Sequence, residues 1–174
     1  MSVDPALLHR LFYPQVPAVL SVGYRGRVSA MPVVSYSSVS ERPPLVSVAC
    51  KPESFTCKLL VKARSFSLCF LDARLRSNVE RLASLSGATV RDKLKESGLG
   101  HSQGRELNVP MITDAAAALE CAVRESAMKG DHLLSIGEVM ASRVSKAFSD
   151  SWDFRQYRPI LYTGWNDGLT TFTP

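Results

Sequence analysis

The sequence lacks the segments that insert a protein into a membrane or direct it out of the cell. No apolar run approaches the length of about 18 residues that a membrane-spanning helix needs. The N-terminus, MSVDPALLHR, has no basic segment followed by an apolar one. We therefore expect a cytoplasmic protein that has no membrane partner.

Three short motifs of common enzyme classes are also missing. Neither GxGxxG nor GxxxxGK(S/T) occurs, so a dinucleotide fold of that type and a Walker loop are not indicated. The nucleophile elbow of many hydrolases, GxSxG, is absent as well. Hydrolase chemistry therefore has no support in the sequence, and any bound phosphate must be held by another design.

Histidine and cysteine are scarce and widely spaced. The chain has three histidines and four cysteines, and the cysteines form no CxxC pair. Three of them lie in apolar stretches that are typical of strand interiors, VSVAC, SLCFL and ECAV. A metal site needs several such ligands close together. We therefore predict buried free thiols and no metal site.

Charge and length limit the partners and the number of domains. A net charge of +5 suits a partner that carries phosphate, either a nucleotide cofactor or a nucleic acid. The 21 Lys and Arg are scattered, without a basic block or a nucleic-acid-binding motif, so we predict no nucleic-acid partner. A length of 174 residues favours one domain that spans residues 1–174.

The order of apolar and turn-forming residues predicts a mainly β protein with inserted helices. Strand-like segments recur along the chain, and an Arg25-Gly26 turn indicates a hairpin. Helices are predicted from Pro5 to about Phe12 and over residues 53–64, 78–85 and 91–96, with a loop over residues 98–110. Several antiparallel strands must bury their edges, and a small β-barrel does so.

The strand predicted over residues 28–38 has an unusual composition. Pro32 lies in its middle, and Ser35, Ser37 and Ser38 follow closely. Proline cannot donate to a strand ladder, so it belongs on an edge or where the strand faces something other than another strand. The segment is therefore either an ordinary edge strand with a polar face or part of a ligand site.

The segment that follows surrounds a predicted helix start with hydroxyl and amino groups. Lys51, Ser54, Thr56 and Lys58 lie within eight residues. A helix start offers free N–H groups and the positive end of the helix dipole, and these side chains add donors for a phosphate. Simple capping of the helix by Ser54 explains the same pattern.

His132 is the histidine that enters a strand from a turn beside an acid, Asp131. A histidine at this place either shapes a cofactor pocket, bonds a nicotinamide or moves a proton, or it merely ties the turn together.

Four segments resemble flavin reductase-like proteins in their order and spacing. The resemblance extends over roughly residues 12–164, and the segments that carry it are ECAVRESAMKGDHLLSIGEV, SAMPVVSYSSVSERPPLVSV, ESFTCKLLVKARSFSLCFL and SGATVRDKLKESGL. The chain departs from the family pattern in two places. Leu94 stands where the family usually has Phe, and Thr163 stands where it often has His.

This resemblance implies a fold, a cofactor and partners. The expected fold is a split β-barrel of the FMN-binding type, a Greek-key-like antiparallel barrel, in a homodimer with the flavin near its interface. The implied activity is NAD(P)H-dependent reduction of flavin, with FMN as the flavin and FAD as the alternative. A partner monooxygenase or electron-transfer protein would receive the electrons. Other functions remain open: a flavoredoxin-like FMN electron carrier, a non-catalytic flavin-binding protein and, more remotely, a basic nucleic-acid-binding barrel.

The resemblance also assigns roles to residues of this sequence. His132 would stand near the flavin ring or the nicotinamide site as the candidate catalytic residue. Lys51, Ser54, Thr56 and Lys58 would hold the phosphate. The isoalloxazine ring would be lined by Ser29, Ala30, Met31, Pro32, Val33, Ser35, Tyr36, Ser37 and Ser38.

Overall fold

The structure is a computed structural model that describes residues 2–166 and 168–171. Its strands are β1 (Ala18–Tyr24), β2 (Arg27–Val33), β3 (Tyr36–Glu41), β4 (Pro44–Cys50), β5 (Ser65–Phe70), β6 (His101–Gln103), β7 (Pro110–Ile112), β8 (Ala117–Lys129), β9 (His132–Val144), β10 (Ile160–Tyr162) and β11 (Leu169–Thr171). Its α-helices are α1 (Phe55–Ala63), α2 (Arg76–Ser84) and α3 (Lys93–Glu96), and 3-10 helices span Pro5–Phe12 and Ala73–Leu75.

Seven strands form one antiparallel sheet in the order β2-β1-β5-β8-β9-β4-β3. The mainly β architecture with inserted helices is therefore confirmed. The edge strands β2 and β3 follow each other in the chain and are joined only by Val34 and Ser35. The sheet must curl until its two edges meet at this link, as in a barrel. No ladder between β2 and β3 occurs in the described residues, so the barrel is open along that line.

The prediction of a single strand over residues 28–38 is wrong. Its two halves are β2 and β3, which lie at opposite edges of the sheet. The N–H of Tyr36 donates to the Val34 carbonyl at 3.0 Å, and the Ser35 carbonyl accepts from the N–H of Ala49 at 2.8 Å. Main-chain hydrogen bonds therefore form this corner. The side chains around it are strand-forming, so the sequence gives no sign of the corner.

A loop prediction over residues 98–110 is also partly wrong, because the short strand β6 lies within it and pairs with β7. The predicted helices are all present, with α3 shorter than expected. None of the helices in residues 2–166 and 168–171 is long and apolar enough to cross a membrane.

Helix α1 fills the inner side of the curled sheet. Ser54 caps its start, and Arg64 ends it in the left-handed conformation at φ 56°. Leu59 and Leu60 of the helix are buried in the same cluster as Leu20 and Phe66 of the sheet. This packing fixes the start of α1 relative to β2, which matters for the site described below.

A second apolar cluster covers the outer side of β1 and β2. Ala30 of β2 packs there with Leu82 of α2 and Leu94 of α3. Leu94 is completely buried, so leucine at this position serves packing.

All four cysteines are buried and free, as the sequence predicts. Burial raises the pKa of the Cys121 thiol to about 12. These thiols therefore stay protonated and behave as core side chains.

Candidate functional site

The first turn of α1 lies directly against β2, so two of the predicted flavin-binding segments meet. The hydroxyls of Ser29 on β2 and Thr56 on α1 are hydrogen-bonded at 2.9 Å, and both residues are buried. One hydroxyl hydrogen is used in this bond, and the other remains for a further partner. The pair couples the predicted ring segment to the predicted phosphate segment.

The start of α1 carries several donors. Ser54 accepts from the N–H of Cys57 at 3.2 Å, which confirms it as the N-cap. The other N–H groups of a first helical turn have no partner within the helix. Lys51 and Lys58 are exposed on either side of Ser54. Ser54 therefore caps the helix, and the free N–H groups and the two lysines remain as donors for an anion.

An arginine that the sequence predictions overlook closes the site on its other side. Arg27 Nη2 donates to the carbonyls of Gly87 at 2.8 Å, Ala88 at 3.1 Å and Val90 at 3.3 Å. Its guanidinium carbon lies 4.8 Å from the ring centroid of Phe55, the first residue of α1. The loop of residues 86–90 is thereby held beside the start of α1.

A cavity of about 550 Å³ opens beside β2. Its walls come from the N-terminal segment, β2, α2, β10 and β11, and the lining residues are Tyr13, Pro17, Pro32, Val34, Glu80, Ala83, Ser84, Tyr162 and Leu169. Pro32 is one of the predicted ring-lining residues. The cavity is mostly apolar and has the size of small-molecule sites. An aromatic pair, Tyr13 and Tyr162 with centroids 4.9 Å apart, forms its far wall.

The remaining ring-lining candidates differ in what they can offer. The side chains of Ala30 and Val33 are in the core, and Met31 packs against it, so the side chains of these residues offer no polar group to a ligand. β2 is an edge strand, and on its outer edge the N–H of Val28 donates to the Arg91 carbonyl at 3.0 Å. Further along this edge, no strand of the described residues pairs with the main-chain groups of Ala30 and Pro32. Such groups suit the polar edge of a flavin ring.

The predicted ring-lining residues from Ser35 onward differ in their exposure. Ser35, Ser37 and Ser38 are exposed. Tyr36 is half-buried, and its hydroxyl donates to the Val16 carbonyl at 2.7 Å. Burial raises the pKa of Tyr36 to about 12. Tyr36 therefore ties β3 to the N-terminal segment, next to Pro17 of the cavity wall.

His132 begins β9, beyond the Gly130 turn. Its Nδ1 lies 2.7 Å from Oδ1 of Asp131, so Nε2 is the nitrogen left for another partner. The hydrogen bond from His132 lowers the pKa of the Asp131 carboxyl, and nearby Lys51 contributes to the lowering. His132 thus lies near Lys51 at the end of β4. Among the described residues it is outside the cavity lining.

The chain is similar to several known proteins. An uncharacterized protein of Aeropyrum pernix is 32% identical over 158 residues, which are 90% of this chain and 60% of that protein, so the chain spans less than two thirds of its length. A Streptomyces globisporus protein named NADH-dependent FAD reductase is 28% identical over 90% of this chain and 87% of its own.

Among solved structures, an FMN-binding protein from Thermus thermophilus with bound p-hydroxybenzaldehyde superposes with a TM-score of 0.84 and 31% identity, over 100% of this chain and 97% of that one. The family model described as "Flavin reductase like domain" matches residues 8–162. The chain belongs to the flavin reductase-like domain family.

Proposed function

We propose that the protein binds FMN and is an NAD(P)H-dependent flavin reductase. The observation that carries the proposal is that three features lie along β2 and the link that follows it. These are the outer edge of β2, the cavity that Pro32 and Val34 line, and the start of α1 with Ser54 and Lys51. A flavin mononucleotide needs such a combination: a mostly apolar space for its rings, main-chain partners for their polar edge, and donors for its phosphate.

The ring segment of the proposed site is built from main chain more than from side chains. The main-chain groups of Ala30 and Pro32 face the edge of β2 that no other strand occupies in the described residues. When bound, the flavin supplies the redox chemistry by accepting a hydride from a reduced nicotinamide. The protein's part is to hold the rings in place, to exclude water with the apolar walls, and to leave one ring face open.

The phosphate segment combines Lys51, Ser54, Thr56 and Lys58. Ser54 is already the N-cap, and Thr56 is buried and bonded to Ser29. We therefore assign the main attraction to the free N–H groups of the first turn and to Lys51, with Lys58 one turn further along. Thr56 acts chiefly by joining α1 to β2.

His132 is proposed to contact the ring or the nicotinamide through Nε2. The Asp131 carboxylate holds Nδ1, which favours the tautomer that carries its proton there. We further propose a cytoplasmic homodimer that passes electrons to a monooxygenase or an electron-transfer protein.

Anaerobic mixing with a reduced nicotinamide tests the activity. The protein is loaded with FMN, mixed with NADH or with NADPH in a stopped-flow instrument, and its visible absorption band is followed. Rapid bleaching by one of the nucleotides is the expected result. If dithionite bleaches the flavin and neither nucleotide does, the reductase assignment is wrong and a carrier that receives electrons from a protein is the better description.

A further inference from the structure

Arg27 holds a loop that no sequence motif connects to it. Its Nη2 reaches the carbonyls of Gly87, Ala88 and Val90, which are 60 to 63 residues further along the chain. One guanidinium nitrogen thus shapes most of the loop of residues 86–90. Its Nε–H is buried and has no hydrogen-bond partner within the described residues. Because a buried unpaired donor costs free energy, this arrangement needs a compensating role.

The loop that Arg27 holds rests directly on the start of α1 and on β2. A Cβ atom at Gly87 would lie 2.6 Å from Ser29 Oγ and 2.7 Å from Phe55 Cδ1. Such distances are shorter than real contacts, so glycine is required for this approach. The loop, Ser29 and Phe55 therefore form one packed unit around the first turn of α1.

The charges around this turn have the sign that an anion requires. The Arg27 guanidinium lies over Phe55, and the exposed Lys51 and Lys58 flank the turn. Glu53 is the one acid in residues 51–58, and the first turn of α1 has none. Cations are unfavourable at the positive end of a helix dipole unless an anion lies among them.

We propose that Arg27 is a positioning residue for the flavin phosphate. It holds the loop of residues 86–90 against the first turn of α1, so that the loop and the turn together form a preformed cradle for a phosphate monoester. This inference rests on the proposed function, since it concerns the phosphate of the same flavin. It adds Arg27, which lies outside the four family-like segments, and it gives a role to the loop at the start of SGATVRDKLKESGL.

Arg27 acts through the loop by way of Nη2, which the three carbonyls occupy. The three carbonyl oxygens around Nη2 would repel a phosphate that approached the guanidinium from that side. A lysine at this position would keep the charge but cannot reach three carbonyls with a planar group. Charge and positioning can therefore be separated by substitution.

The test compares FMN with riboflavin, which has the same rings without the phosphate. Both flavins are titrated by fluorescence into the full-length protein and into Arg27→Gln and Arg27→Lys. Arg91→Gln is the matched control, because Arg91 is an exposed neighbour that makes one side-chain hydrogen bond, from Nε to the Gly26 carbonyl at 3.2 Å. The ratio of the two affinities within each variant cancels any general loss of stability, which thermal unfolding followed by circular dichroism monitors.

We expect both Arg27 variants to bind FMN about tenfold more weakly and riboflavin within about twofold of the unmodified protein. Arg91→Gln should leave both affinities within about twofold. Equal weakening of FMN and riboflavin would overturn the proposal in favour of a purely structural role. Full FMN affinity in Arg27→Lys would overturn it in favour of charge alone. If the unmodified protein binds neither flavin, the proposed function fails first and this inference falls with it.

Discussion

Replacing Glu120 with glutamine tests whether one buried carboxylate organises a loop across the sheet. Glu120 is 3% exposed, and its two oxygens accept from the N–H groups of Arg105 at 2.7 Å, Glu106 at 2.9 Å and Leu107 at 2.9 Å. Burial raises its pKa, but the bonds from Arg105, Leu107 and Glu106 outweigh that effect, so the pKa lies below its ordinary value. The ionised form is therefore the one that the fold stabilises.

The cost of Glu120→Gln follows from these three bonds. An amide has one acceptor oxygen, so its NH2 group must face at least one N–H that the carboxylate now satisfies. An unpaired buried donor costs about 1–3 kcal/mol, and the remaining bonds lose roughly 1 kcal/mol each when the acceptor becomes neutral. We expect a total loss of about 3–5 kcal/mol, which lowers the melting temperature of a domain of this size by roughly 6–20 °C.

Urea unfolding at neutral pH, followed by circular dichroism, measures this loss. Glu125→Gln on the same strand is the control, because Glu125 is exposed and should change stability by no more than about 0.5 kcal/mol. The two variants should have equal m-values. The reasoning is refuted if Glu120→Gln is as stable as the control.

The pH dependence follows from the direction of the shift. A depressed pKa stabilises the fold fully above the ordinary pKa of 4.5, and the contribution is lost as the pH falls through the lower folded-state value. The stability difference between the unmodified protein and Glu120→Gln should therefore be constant near neutrality and shrink as the pH falls below about 4.5. A difference that does not change with pH in the acid range would contradict the role of the charge.

Three further substitutions probe the site. Gly87→Ala should weaken FMN binding about tenfold and cost about 1–3 kcal/mol, because its Cβ would meet Ser29 and Phe55; unchanged titration curves would contradict the close approach. Ser54→Ala should lower the free energy of unfolding in urea by about 1 kcal/mol and weaken the binding of FMN more than that of riboflavin. Equal weakening of the two flavins would show that the cap takes no part in phosphate binding. Tyr36→Phe should cost about 1–2 kcal/mol, because it leaves the Val16 carbonyl without its donor, and calorimetry at neutral pH would detect it.

The parts of the fold that depend on local signals could be predicted from the sequence. The Arg25-Gly26 turn has positive φ at both residues, 47° and 73°, which is the geometry expected of a two-residue hairpin. Ser54 is the N-cap, and Gly130 has φ 60° in the turn before His132. In each case, a few neighbouring residues decide the conformation.

The corner between β2 and β3 could not be predicted, because it depends on contacts with the rest of the sheet. Val34 and Ser35 look like the middle of a strand, but β2 pairs with β1 and β3 pairs with β4, so the chain crosses there from one edge of the sheet to the other. The cavity could not be predicted for the same reason, because it depends on non-local contacts. Tyr13, Pro32 and Leu169 line it from segments that are far apart in the chain.

The predicted site is a mixture of local and non-local features. The segment at Lys51 and Ser54 could be proposed from the sequence because a helix start with hydroxyl and amino groups is a local pattern. Arg27 was missed because its partners, the carbonyls of residues 87, 88 and 90, are defined only once the fold brings them together. Main-chain acceptors carry no mark in a sequence, so an arginine that binds them is indistinguishable from a surface arginine.

Flavin binding itself is the claim on which the other proposals depend, and an equilibrium titration tests it most directly. FMN is held at a fixed concentration, the purified protein is added, and flavin fluorescence and the visible spectrum are recorded. We predict that the protein quenches the flavin fluorescence in a saturable way. We also predict that it retains the yellow flavin after gel filtration. A protein that stays colourless after incubation with FMN, and leaves the fluorescence unchanged, would contradict the account.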